Sequence, residues 1–197
     1  MRRLAWLIPL FSALGCGDTG SVATSSATDD ATMVRKASAQ LRQERLHILA
    51  LGLDEISVPP SVFGTQTDVI GKYAFVVAKD SRGNMRGVYR FSESVDGVTT
   101  HYAGPLTCAE VYDFNGLTGN RAKIGGRVDS SDDPSIPVGT FIWWQAIDNS
   151  GLGRADQSTL TGFGDEAANE AFCASANPPR FGPFDVIRGA ITVLPRN

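Results

Sequence analysis

The sequence predicts an all-β domain, an antiparallel β-sandwich or barrel of about 7–9 strands with one short N-terminal helix. Three observations carry this. Across residues 57–197, short period-two runs rich in Val, Ile, Phe and Tyr are broken by Gly, Pro, Asn and Asp about every ten residues. Residues 139–148 (GTFIWWQAID) set Trp143 and Trp144 on opposite faces, and Ile142 and Ile147 likewise. A strand with two apolar faces sits centrally, covered on each side. Helix and strand do not alternate as units, which excludes a parallel nucleotide-binding sheet.

The chain divides into a signal peptide (1–15), a flexible tether (16–36), a helical segment (37–56) and the β domain (57–197). Arg2 and Arg3 form a positive start, and residues 4–14 (LAWLIPLFSAL) an uncharged apolar run too short to span a bilayer. Ala13-Leu14-Gly15-Cys16 resembles the bacterial lipobox, whose cysteine is lipid-modified and becomes the first mature residue. Ala13 stands where the usual lipobox has Leu. Ordinary signal peptidase would cut at the same bond, so the two routes differ only in the lipid on Cys16; an uncleaved anchor is the remaining alternative. The expected location is the cell envelope, periplasmic or outer surface, with the membrane engaged through an N-terminal lipid. Without Arg2 and Arg3 the mature chain has sixteen basic against twenty-one acidic residues, a net charge of −5. That charge disfavours nucleic acid as a partner. A protein or glycan partner is left open, and the chain is expected to be a monomer.

Residues 17–32 are small and polar and cannot bury enough surface to offset the entropy of ordering. Residues 33–53 are rich in Ala, Leu, Gln, Glu and Arg, which predicts a helix over 37–51 ended by Gly52. His47 falls in it and reads as a surface or core residue. After Pro59-Pro60 the texture is β. Residues 73–79 and 86–91 flank the polar turn at 80–84 and predict a hairpin. Residues 120–128 alternate: Ala122, Ile124 and Val128 face one way, and Arg121, Lys123 and Arg127 form a solvated basic row on the other. Gly125-Gly126 predicts a bulge or a close backbone approach.

With Cys16 used at the N-terminus, Cys108 and Cys173 remain, and an oxidising compartment predicts one disulfide between them. Two separate buried thiols are the alternative. Residues 148–156 (DNSGLGRAD) are the best candidate metal loop: Asp148, Asn149 and Asp156 offer the hard oxygens that Ca²⁺ favours. The same residues make good turn chemistry after a strand. No other cofactor is expected. Residues 129–133 form a second acidic turn. Catalysis finds no constellation: there is no G-x-S-x-G elbow, zinc spacing is missing, and His101 is the only histidine after residue 56. Glu93 and Glu110 are candidates for a glycosidase pair only as any two carboxylates are.

Residues 106–128 (LTCAEVYDFNGLTGNRAKIGGRV) and 146–156 (AIDNSGLGRAD), followed by Cys173, resemble a group of exported bacterial β-proteins, many of them lipoproteins. The resemblance implies a compact β-fold with no established activity and transfers no catalytic residue. The function expected is therefore that of an exported, lipid-anchored envelope protein with a binding or structural role, not an enzyme. The alternatives are a secreted hydrolase acting on polysaccharide or peptide, and a lipocalin-like carrier with a cavity of a few hundred Å³.

Overall fold

A computed structural model describes residues 27–43, 47–80, 82–112, 120–176, 178 and 182–194. Ten strands form a single antiparallel sheet: β1 (His47–Val58), β2 (Val69–Lys79), β3 (Met85–Val95), β4 (Val98–Tyr112), β5 (Asn120–Arg127), β6 (Ser130–Ser131), β7 (Phe141–Asp148), β8 (Gln157–Ser158), β9 (Gly162–Gly164) and β10 (Phe184–Val193). Eight of them close on themselves in the order β1-β2-β3-β4-β5-β7-β8-β10. The β3–β4 and β1–β10 pairings are what make this a barrel and not a sandwich. β6 adds to β4 and β9 to β7.

Alternation fills the interior. Trp144 is fully buried at its centre, met edge-on by Phe75 at 5.5 Å and Phe91 at 4.7 Å between ring centroids. Tyr73, Tyr89 and Tyr102 complete an aromatic core in the T-shaped and tilted arrangements that ring quadrupoles favour. Trp143 points out of the barrel and packs on Phe172, as the opposite-face reading requires.

Among the described residues, three helices lie outside the barrel. α1 (Ala27–Gln43) has Asp29 and Asp30 in its first turn and Arg42 in its last, matching the helix dipole. Its Leu41 packs on Val76, Ala78 and Leu51. α2 (Pro60–Phe63) starts on a proline and stops at Gly64 in the left-handed region. α3 (Glu166–Ala174) is capped by Asp165, whose carboxylate accepts from the Ala168 N–H at 2.9 Å. It lies against β5 and β7, and Cys173 stands at disulfide distance from Cys108 on β4, with Cα atoms 6.3 Å apart.

Two expectations are corrected. The helical segment at 37–56 is not one: the helix lies earlier, at Ala27–Gln43, taking up part of the expected tether, and His47–Val58 is a barrel strand. Leu51 and Leu53 line its outward side, and Leu51 packs under α1, so the strand is apolar on both faces and mimics a helix in composition. Two of the three residues of the basic row on β5 are not solvated: Arg121 is 7% and Lys123 2% exposed, with Lys123 under the C-terminal end of α3, while Arg127 stays exposed as expected. Gly125 is the close approach that permits this, since a Cβ there would lie 2.1 Å from Asn169 Oδ1 and 2.6 Å from Cys108 Sγ. The leader, Cys16 and residues 17–26 lie outside the described residues.

Candidate functional site

One end of the barrel is open. There the β1 C-terminus, the β2 N-terminus and the β3–β4 hairpin surround a cavity of about 240 Å³. Ile56, Val58, Phe63, Val69, Val95 and Leu160 form apolar walls, and Tyr73 and Glu93 are the ionisable groups on its lining. Gly71 keeps the space clear: a Cβ there would stand 2.9 Å from the Tyr73 ring. α2 overhangs the opening. The loop that follows it is fixed to the hairpin tip by Asp96, whose Oδ1 accepts from the N–H groups of Gln66 (2.9 Å) and Thr67 (3.0 Å).

Period-two geometry places Glu93 inside, two and four residues beyond the core positions Phe91 and Tyr89. Its Oε1 accepts from Tyr102 Oη at 2.9 Å and from Thr161 Oγ1 at 3.4 Å. Its Oε2 accepts no hydrogen bond among the described residues. Burial raises the Glu93 pKa, the Tyr102 and Thr161 bonds oppose this, and the Asp133 charge adds to it. Burial, then the Glu93 and Asp54 carboxyls, hold the Tyr73 hydroxyl well above its usual range, so it stays a donor.

Asp54 is the least expected group. It lies across from Tyr73 on β1, faces the interior and is 4% exposed. Neither carboxyl oxygen has a hydrogen-bond partner among the described residues. Burial pushes its pKa well above the carboxylate range, and the Asp156 charge pushes the same way. In the sequence Asp54 follows the expected helix end at Gly52 and carries no signal of this; only the strand assignment puts it inside the barrel.

The candidate metal residues sit at the other end. Asp148, Asn149 and Asp156 do come together, around backbone donors. Asp148 Oδ1 accepts from the N–H (3.0 Å) and hydroxyl (2.5 Å) of Ser150, and Oδ2 from the Val193 N–H at 3.1 Å. Asp156 accepts from the N–H of Asn149 (2.8 Å) and of Ile191 (2.9 Å). Asn149 Nδ2 donates to the Ala155 carbonyl. Among the described residues no three His, Cys, Asp or Glu side chains cluster in a way that could hold a metal ion.

The other candidates are scattered. His101 pairs with Asp132 through its ring Nδ1 at 3.0 Å. Glu110 belongs to the covered side of the sheet, where Lys123 Nζ reaches its Oε2 (2.9 Å) and donates to the carbonyls of Cys173 (2.6 Å) and Ser175 (2.7 Å). Trp143 and Trp144 are absent from the lining of the mouth cavity. Searches of protein-family profiles, curated proteins and solved structures find no match to this chain.

Proposed function

We propose that this chain is an exported, lipid-anchored binding protein of the cell envelope whose barrel takes one small, largely apolar ligand in its mouth. The observation that carries the reading is the mouth cavity: among the described residues, apolar walls around a single carboxyl that has one oxygen held by hydroxyls and the other left without a protein partner. Ligand pockets have this make-up, a mostly apolar wall with a few placed polar groups. At about 240 Å³ the space suits a ring system or a short aliphatic segment. The leader and Cys16 supply the export half of the reading. Binding is preferred to hydrolysis because Glu93 is the one carboxyl lining this cavity among the described residues, where a glycosidase needs two across the scissile bond.

The test is titration of the mature chain with 1-aminoanthracene, an apolar fluorescent probe. A saturable, one-to-one rise in emission is expected. Val69→Trp, which fills the cavity from β2, should weaken binding by about tenfold or more, the effect of losing roughly 1.4 kcal/mol. No saturable signal, or undiminished binding by V69W, would sink the reading.

A further inference from the structure

We infer that the barrel mouth is a bilayer-contacting surface, and that the cavity receives the apolar part of a membrane component through it. This rests on the ligand-binding reading for the identity of the site and on three independent observations for the surface.

The first is where apolar groups are exposed. Ten large apolar residues are exposed among the described ones, and six belong to the mouth end: Val62 (47%), Phe63 (53%), Val95 (36%), Val98 (66%), Val138 (64%) and Phe163 (41%). Val95 and Val98 pair at the tip of the β3–β4 hairpin, and Val62 and Phe63 sit on α2, whose following loop is tied to that tip through Asp96. Val138 is in the loop that enters β7 at this end, and Phe163 stands on β9 beside Ile142. Exposed apolar groups gathered around a cavity mark an interaction surface.

The second is the direction of α1. Ala37, Gln40 and Leu41 lie beside Met85–Val88, at the start of β3 and far from the mouth. Asp30 reaches Arg90 at 3.6 Å, halfway along β3 toward Val95. The helix therefore runs away from the mouth, and its N-terminus points toward the mouth end. Ten residues, 17–26, lie between Cys16 and Ala27, eleven Cα steps that reach at most about 36–40 Å. An acyl chain on Cys16 would tether the barrel from its mouth end, within reach of the bilayer.

The third is charge. Residues 60–71, 92–100, 129–140 and 159–165, which build the rim, contain no Lys or Arg and several Asp. Contact is by apolar insertion, favouring zwitterionic over anionic lipid.

The experiment couples an acyl chain chemically to Cys16 of the mature chain, so the result does not depend on whether the cell does so. The protein is placed on phosphatidylcholine vesicles carrying brominated acyl chains, which quench indole on contact. The indole placed by V98W should lose about half its emission or more, because it is buried at the acyl boundary. The indole placed by L152W, exposed at the opposite end, should change no more than the parent. Adding V62D and F63D should abolish the V98W quenching. Equal quenching at both ends, or none with V98W, overturns the inference; self-association through the mouth, or residues 17–26 folding over it, would give the second result. 1-Aminoanthracene binding on the same samples separates the two readings. Probe binding without V98W quenching removes this inference alone. Quenching without probe binding removes the ligand reading and leaves the surface standing.

Discussion

The two ends of the barrel use carboxylates in opposite ways. At the closed end, Asp148 and Asp156 place all four oxygens on backbone or side-chain donors from β10 and the loop after β7. At the mouth, Glu93 has one oxygen held by two hydroxyls and one without a partner among the described residues, amid apolar walls. A carboxylate that satisfies backbone N–H groups fixes where strands and loops end. A carboxyl left half-satisfied in an apolar cup contributes little to that and is available to something else. The contrast separates a structural end from a recognising end, and substitutions at each should fail in different assays.

The largest effect is expected at the closed end. Asp148→Ala removes the acceptor for the Ser150 N–H and hydroxyl and for the buried Val193 N–H. Leaving such donors unsatisfied costs about 1–3 kcal/mol each when buried, so a loss of about 2–4 kcal/mol is expected. Urea unfolding should show it as a lower midpoint at unchanged slope. Below the transition, D148A should bind 1-aminoanthracene like the parent. A loss of binding matched to the loss of stability would dissolve the distinction between the ends.

Asp54 gives a smaller effect, visible only against pH. Its folded pKa is raised by burial and then by Asp156. Above about pH 4, where the unfolded carboxyl releases its proton, the folded state keeps it. The folded state then binds more protons, so this group's contribution to stability is present at low pH and falls as pH rises through the folded value. Asp54→Asn removes that slope. Relative to the parent, D54N should gain stability as pH rises from 5 toward 8, each unit of pH over which the folded carboxyl stays protonated being worth about 1.4 kcal/mol. A constant difference across that range would show that Asp54 is ionised in the fold and finds a partner there.

Why this group was hidden in the sequence is instructive. The hairpin of β2 and β3, the opposed faces of Trp143 and Trp144, and the pairing of Cys108 with Cys173 were legible because each depends on local pattern or on counting. β1 was not. Its interior positions are Ala50, Gly52, Asp54, Ile56 and Val58, and only the last two look like core. Gly52 is required there because a Cβ would lie 2.3 Å from the Phe75 ring. With leucines on the outward side, the period-two pattern is inverted and helix propensity dominates. Lys123 was misread for the converse reason: its alternation is correct, but nothing local announces that α3, some 45 residues later, will cover it. The mouth cavity was legible only as a possibility attached to one of several β architectures, since it depends on closure between β1 and β10.

The smallest effect on stability, and the finest test of the contrast, is at Glu93. Glu93→Gln keeps an acceptor for Tyr102 and Thr161 and places an amide where Oε2 was. At pH 5 its stability should match the parent's within about 1 kcal/mol. As pH rises, the parent loses stability through its raised carboxyl pKa, by the same sign as Asp54, while E93Q does not. E93Q should therefore draw ahead toward pH 8. Glu93→Leu separates the hydrogen bonds from the charge: it strands the Tyr102 and Thr161 hydroxyls against apolar walls and should cost about 1–3 kcal/mol relative to E93Q at every pH. The ligand decides the rest. A ligand that accepts a proton from the neutral acid should bind the parent better at pH 5 than at pH 8 and tolerate the amide. A cationic ligand should prefer pH 8 and lose about tenfold or more with E93Q, as a charge-assisted bond worth more than 1.4 kcal/mol disappears. Two pH values and one substitution thus assign the hydrogen-bonding character of whatever the mouth holds, and stability curves on the same samples show whether the mouth end bears load as Asp148 does.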